Sequence, residues 1–267
     1  MASVSLTLFE SAYCQTSSGN LPDTPSQSQR SEKTNAPSGD DVTWRTLPKS
    51  FLHQQKVIWL FPAQLAKGRF LFPSAAVASG TAGLIFADPH VMPYFRSHAR
   101  SLDDINDTFD TPITAAETVA LPVALLAAGY ARHDQYQIST SLFAGEAYAD
   151  SAIVDLAMKA ITRRKRPSDV PAGAPFTDTF FSGDKSPFKG SSFPSGHAAA
   201  VFSVATVVAV RYRRHKWVPW LLYGFATAVS LSRVTTLSHF PSDVFLGAAL
   251  GYTITRYDVL QPRNTGQ

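Results

Sequence analysis

Residues 190–200 read GSSFPSGHAAA, and this turn into a helix decides the fold. Ser195 and Gly196 stand immediately before an apolar run that continues to Val210 without a charged residue. A serine ahead of such a run is the signature of a helix N-cap. The same place is also a ready anion site. Backbone N–H groups point out of a helix N-terminus, glycine lets a ligand approach the backbone, and serine adds a hydroxyl. His197 would then sit at its mouth. Taken alone, the segment fits either an ordinary cap with a bystander histidine or a phosphate cradle.

Working outward, five more apolar stretches of helical length flank this one, at 70–87, 113–131, 141–160, 217–232 and 244–255. No strand alternation or internal repeat interrupts them after Trp44. The expected fold class is therefore all-α, a bundle of about six core helices. Glu146, Asp150 and Asp155 fall within the third stretch and cannot face lipid, so they should be buried in the bundle. A loop rich in Pro, Gly, Ser and Asp occupies 167–194, long enough to suggest a functional role.

Composition narrows the class. Of 267 residues, 45% are apolar and only 16% charged, against about 25% charged in ordinary globular chains. That favours a helical core close to lipid. The formal net charge of +4, from 24 basic and 20 acidic residues, is too mild for a nucleic-acid binder without a reader motif. Cys14 is the sole cysteine, which rules out an internal disulfide or a cysteine zinc site. Residues 1–43 read as a disordered tail, 44–69 as an amphipathic linker, 70–257 as the functional domain and 258–267 as a C-terminal tail. The start MASVSLTLFESAYC lacks a basic n-region and Glu10 cuts its apolar run, so it does not read as a signal peptide.

Charge placement points to a membrane. If six helices span with the N-terminus inside, one side collects Lys56, Lys67, Arg69, Arg132, Arg256, Arg263 and the cluster RYRRHK at 211–216. That cluster reads as a cytoplasmic loop. The other side holds Arg96, Arg100, the basic group at 159–166, Lys185, Lys189 and Arg233, which weakens the rule unless those cations serve chemistry. A soluble helical domain remains the alternative.

Three segments carry that chemistry. In KAITRRKRP, Lys159 ends the third stretch and Arg166 follows seven residues later. Cations at a helix C-terminus are favourable in themselves, so a solvated basic end is the plain reading. The second segment is the one quoted first. In SRVTTLSHFPSDVF, Arg233 ends the fifth stretch, His239 follows, and Asp243 comes four residues later at the start of the sixth. A carboxylate there can accept from one ring nitrogen of His239 and leave the other free as a nucleophile, or can simply cap a helix.

Together these segments resemble the signature of the type 2 phosphatidic acid phosphatase (PAP2) and vanadium haloperoxidase superfamily. Its pattern runs K-x6-R-P, P-S-G-H and S-R-x5-H-x3-D, and every position is present: Lys159, Arg166, Pro167; Pro194, Ser195, Gly196, His197; Ser232, Arg233, His239, Asp243. The resemblance implies a PAP2-like helical bundle, membrane-associated, that hydrolyses phosphate or diphosphate esters, lipid-linked ones foremost. Lys159, Arg166 and Arg233, with Ser195 and the Gly196 N–H, would hold the phosphoryl oxygens. His239 would attack phosphorus to form a phosphohistidine, Asp243 would fix its tautomer, and His197 would act as acid and then base. No metal and no cofactor is implied, and no nucleic-acid partner; the oligomeric state is left open. Motifs at the end of stretch three, the start of four and between five and six should share one face, turned to the periplasm or exterior. The alternatives are a soluble periplasmic acid phosphatase acting on small esters and, further off, a vanadate-dependent haloperoxidase. Asp178 and Asp184 could shape the pocket, while His53, His133 and His215 read as surface residues.

Overall fold

The computed structural model describes residues 42–102, 106, 111–183 and 191–260. Apart from Val42 and Thr43, the expected N-terminal tail lies outside the described residues, as do Asp184, Lys185 and Lys189 in the long loop. The described residues form eight α-helices and no strand: α1 (Leu47–Trp59), α2 (Phe61–Ala66), α3 (Leu71–His98), α4 (Thr111–Arg132), α5 (Gln135–Thr162), α6 (Gly196–Arg211), α7 (Trp217–Thr235) and α8 (Pro241–Ile254). The fold is all-α, and α3 to α8 are the six apolar stretches. The segment read as a linker contributes the two short helices α1 and α2.

Local chemistry sets most of the boundaries. Asp134 caps α5 by accepting from the backbone N–H groups of Tyr136 and Gln137, so α4 and α5 join through a tight turn at His133. Helix α5 ends where Arg163 turns left-handed and its N–H returns to the Lys159 carbonyl. Ser195 caps α6, and Pro241 opens α8 at a position where its missing N–H costs nothing.

Helix α6 is the centre of the bundle, packed by α5, α7 and α8. Ile138, Phe143 and Ala147 of α5 meet Val204 and Val207 of α6 and Ile254 of α8 in the largest core cluster. Between α6 and α8 the backbones nearly touch. A Cβ on Gly247 would run into the Ser195 carbonyl, and one on Gly251 into the Ala199 carbonyl. These two glycines, one turn apart, let α8 lie against the first turns of α6 and so fix where Ser195 and His197 stand.

The buried acids of α5 have their partners. Ser50 of α1 donates to Glu146, Gln55 Nε2 to Asp150 Oδ1 at 2.6 Å, and Lys159 Nζ to Asp155 Oδ2 at 2.7 Å. Helix α3 runs eleven residues past the expected end at Ala87, through Asp88, Pro89 and Pro93. Its 28 residues, about 42 Å long, exceed a hydrocarbon core of about 30 Å, and only 11% of its apolar window is buried. Among the described residues α3 alone is long and apolar enough to cross a membrane. The 16 residues of α6, by contrast, rise about 24 Å.

Candidate active site

The antiparallel run of α5 to α8 brings the end of α5, the start of α6, the end of α7 and the start of α8 to one end of the bundle. The basic turn at 211–216 lies at the other end. Every motif residue is therefore at the same end, as the sequence order implied.

Lys159 meets the start of α6 directly. A Cβ on Gly196 would lie 3.1 Å from Lys159 Nζ and 2.9 Å from Asp155 Oδ2, so the ion pair rests on the bare glycine backbone. Ser195 is fully buried, with its Oγ accepting from the Ala198 N–H at 3.4 Å and its own N–H donating to the Asp243 carbonyl at 2.9 Å. The serine is thus a cap, and it also ties α6 to α8. Arg233 is 1% exposed. Its guanidinium reaches Ser232 Oγ through Nε and Nη2, and its carbonyl accepts from the N–H groups of Ser238 and His239. Those two bonds close the loop that carries His239 back to the arginine.

Electrostatics shows how far the groups converge. Burial, followed by the charges of His239, Arg233, Lys159 and Arg166, lowers the His197 imidazole to about 4. Burial also lowers His239, opposed by Asp243 and assisted by Lys159 and Arg166. Four cationic or imidazole groups from α5, α7 and two loops therefore act on the one ring at the start of α6. Burial would push Asp243 up, but the His239 imidazole and the Arg164 guanidinium outweigh it and hold the carboxyl low.

The structure corrects one expectation. His239 Nδ1 lies 2.7 Å from the Ser192 carbonyl and 3.7 Å from Asp243 Oδ2. Asp243 thus keeps ion-pair range of that nitrogen, while both its oxygens accept hydrogen bonds from other donors. Oδ1 accepts from Arg164 Nη1 at 2.6 Å, and Oδ2 accepts from the Phe240 N–H at 2.8 Å, closing the N-terminus of α8. The chemical outcome survives. A carbonyl can only accept, so Nδ1 carries the proton and the lone pair resides on Nε2.

Sequence reasoning missed two arginines. Arg164, 1% exposed, bonds Asp243, Ser242 Oγ, Asp88 Oδ2 and Thr179 Oγ1, and its carbon centre lies 3.8 Å from the Phe240 ring centroid. Arg96, at the end of α3, donates to the carbonyls of Pro167, Val170 and Pro171 and stacks on Phe176 at 4.2 Å, pinning the loop that follows Arg166. Asp178 is exposed and takes no part in the cluster; His53, His133 and His215 are exposed and lie elsewhere.

Comparison with known proteins agrees with the arrangement. Residues 140–265, which hold all three motifs, match the PAP2 superfamily. This segment is a PAP2 domain. The lipid A 1-phosphatase of Porphyromonas gingivalis is 37% identical over 65 residues, covering 24% of this chain and 15% of that protein. The bacitracin transport permease protein BcrC of Bacillus licheniformis is 38% identical over 61 residues, covering 23% of this chain and 29% of its own length. The chain thus spans under a third of each of these curated relatives. No solved structure matches significantly.

Proposed function

We propose that this PAP2 protein is a membrane-associated phosphatase that hydrolyses phosphate or diphosphate esters bearing a hydrocarbon tail. The observation that carries the reading is the convergence of Lys159, Arg166, Arg233, His197 and His239 on the capped start of α6. Three cations and helix N–H groups can bind a phosphoryl group and stabilise the charge that spreads over its oxygens in transfer. Nε2 of His239 attacks phosphorus, the ester P–O bond breaks, and the leaving oxygen takes a proton from His197. Water then attacks the phosphohistidine with His197 as base, the P–N bond breaks and inorganic phosphate leaves. His197 is neutral in the empty site because of its lowered pKa. An anionic substrate beside it favours the charged ring, so binding itself loads the acid. The cations supply the charge that a metal supplies elsewhere, so no metal enters these steps.

Support for the tail comes from an apolar groove of about 440 Å³ between α3, α7 and α8. Its lining includes Leu84 and Ala87 of α3, Leu231 and Val234 of α7, and Pro241 and Ala248 of α8. Val234 follows Arg233, and Pro241 lies between His239 and Asp243. A phosphate at His239 can therefore drop an alkyl chain into this groove. With α3 across the bilayer, the catalytic end faces the periplasm or exterior and the turn at 211–216 the cytoplasm.

The deciding experiment measures phosphate release from phosphatidic acid, phosphatidylglycerol phosphate, a polyprenyl diphosphate, lipid A and p-nitrophenyl phosphate, each with and without EDTA. The expected result is turnover of at least one lipid substrate, unaffected by chelator and inhibited competitively by vanadate. Strong inhibition by EDTA overturns the metal-free scheme, and activity confined to p-nitrophenyl phosphate favours the small-ester reading. Filling the groove tests the tail. Ala248→Phe should raise KM for a long-chain substrate about tenfold, the equivalent of some two methylenes losing their burial. Turnover of p-nitrophenyl phosphate by the same variant should stay near wild type.

A further inference from the structure

Asp88 is the one acid in the apolar helix α3, and it lies outside the segment that matches the PAP2 superfamily. It is fully buried. Its Oδ2 accepts from Arg164 Nη2 at 2.7 Å and from the Ser242 hydroxyl, and its Oδ1 accepts from the Ser242 N–H at 3.3 Å. Three donors thus converge on this one side chain. Arg164 thus stands between two buried carboxylates, Asp88 and Asp243, with Nη1 also on Ser242 Oγ at 2.7 Å.

The same arginine controls the other partner of His239. Its backbone carbonyl accepts from the Ser192 N–H at 2.8 Å, and the Ser192 carbonyl accepts from His239 Nδ1. Arg164 therefore reaches the imidazole by two routes, through its side chain to Asp243 and through its backbone to Ser192. A residue that sets both groups facing Nδ1 sets the orientation and the basicity of the ring.

We propose that Asp88 is a positioning residue for phosphoryl transfer, which anchors Arg164 so that Asp243 and the Ser192 carbonyl together aim and charge-stabilise His239. The inference rests on the phosphatase reading above. Two features separate this role from mere packing. A buried ion cluster is seldom more stable than apolar side chains of the same volume, so a lone acid on an apolar, lipid-length helix calls for a functional reason. The charges also sum usefully: Asp88, Arg164 and Asp243 together carry one net negative charge behind Nδ1. That charge stabilises the cationic ring that forms when Nε2 binds phosphorus. Without Asp88, the guanidinium would neutralise Asp243 and leave the ring facing a spent carboxylate. The other charged or titratable groups acting on His239 are Asp155 and Lys159 from α5, Arg166 from the following loop and His197 from α6, while the Arg233 carbonyl of α7 accepts from the His239 N–H. None of them is altered by changing Asp88.

The test is Asp88→Asn, which keeps the shape and an acceptor but removes the charge, with Asp88→Glu as the conservative rescue. On p-nitrophenyl phosphate, kcat should fall roughly 100-fold, as for a displaced reacting group, with KM nearly unchanged. The acid limb of kcat/KM should move to lower pH, because a less negative surrounding makes the imidazole harder to protonate; Asp88→Glu should restore both. In parallel, ¹⁵N NMR of the labelled histidines in detergent should show the His239 titration shifted to lower pH in Asp88→Asn. An unchanged kcat overturns the proposal, and so does a loss of activity with neither the acid limb nor the imidazole titration displaced, which would assign Asp88 to packing. If the wild type proves inactive, the phosphatase reading falls, while the NMR titration still decides whether Asp88 governs His239.

Discussion

His239→Ala should lower kcat for every ester by a factor of about 10⁶, and its protein should never take up label from a ³²P substrate. The wild type, quenched during turnover, should carry an acid-labile, base-stable phosphoryl group. The reason is the tautomer. The Ser192 carbonyl fixes the proton on Nδ1 of His239, so this ring presents a free Nε2 whatever the pH above its lowered pKa. His197 cannot replace it. In the proposed scheme it passes protons from the start of α6, and burial together with the surrounding cations lowers its pKa to about 4. Loss of a nucleophile that works as a unit with its base costs on the order of 10⁶ in kcat in a well-studied hydrolase, the residual rate coming from the anion-stabilising groups. His197→Ala gives the complementary result. It should still become labelled, slowly, and should then hold the label because no base activates water. Turnover by His239→Ala within about a hundredfold of wild type, or label on that variant, sinks the covalent scheme while leaving the anion cradle intact.

The common placement of the motif cations and histidines was legible because each stands at or near a helix end. Spacing alone put Lys159, His197, Arg233 and His239 at one end of an up-and-down bundle, and the structure places them there. The burial of Glu146, Asp150 and Asp155 was also legible, since three acids on an apolar helix have nowhere else to go. Their partners were not all visible. Ser50 and Gln55 come from α1, a helix hidden in what read as a linker. Arg164 was missed for a different reason. It sits in a run of four cations, 163–166, and such a run reads as a solvated patch. The available signal was on another helix: Asp88, an isolated acid in an apolar stretch, demands a cation. Taking Asp88 as a helix end instead cut α3 short at Ala87. Between Asp243 and His239 the expected hydrogen bond becomes an ion pair at 3.7 Å, because Nδ1 donates to the Ser192 carbonyl, a partner that spacing does not reveal. At the third position of α8, the carboxylate serves the exposed N–H of Phe240 and the guanidinium of Arg164 before it serves the imidazole.

Arg164→Met should be the most destabilising single change in the described fold, because it strands two buried carboxylates at once. Asp88 and Asp243 are each fully buried, and the guanidinium is the cation they share. Removing one partner of a buried ion pair costs about 3–5 kcal/mol. The methionine keeps most of the volume between Phe180 and Phe240, so the loss is electrostatic, apart from the cation–π contacts at 4.4 and 3.8 Å. At roughly 2–4 °C per kcal/mol for a domain of this size, the thermal midpoint should drop by about 6–20 °C. Adding Asp88→Asn to Arg164→Met removes one stranded charge. The double variant should therefore be more stable than Arg164→Met alone, although Asp88→Asn by itself destabilises the wild type. That reversal of sign is the mark of direct coupling. If the two losses simply add, the carboxylates are finding other partners, and the cluster is not the unit that holds α3 to the end of the bundle where the motifs gather.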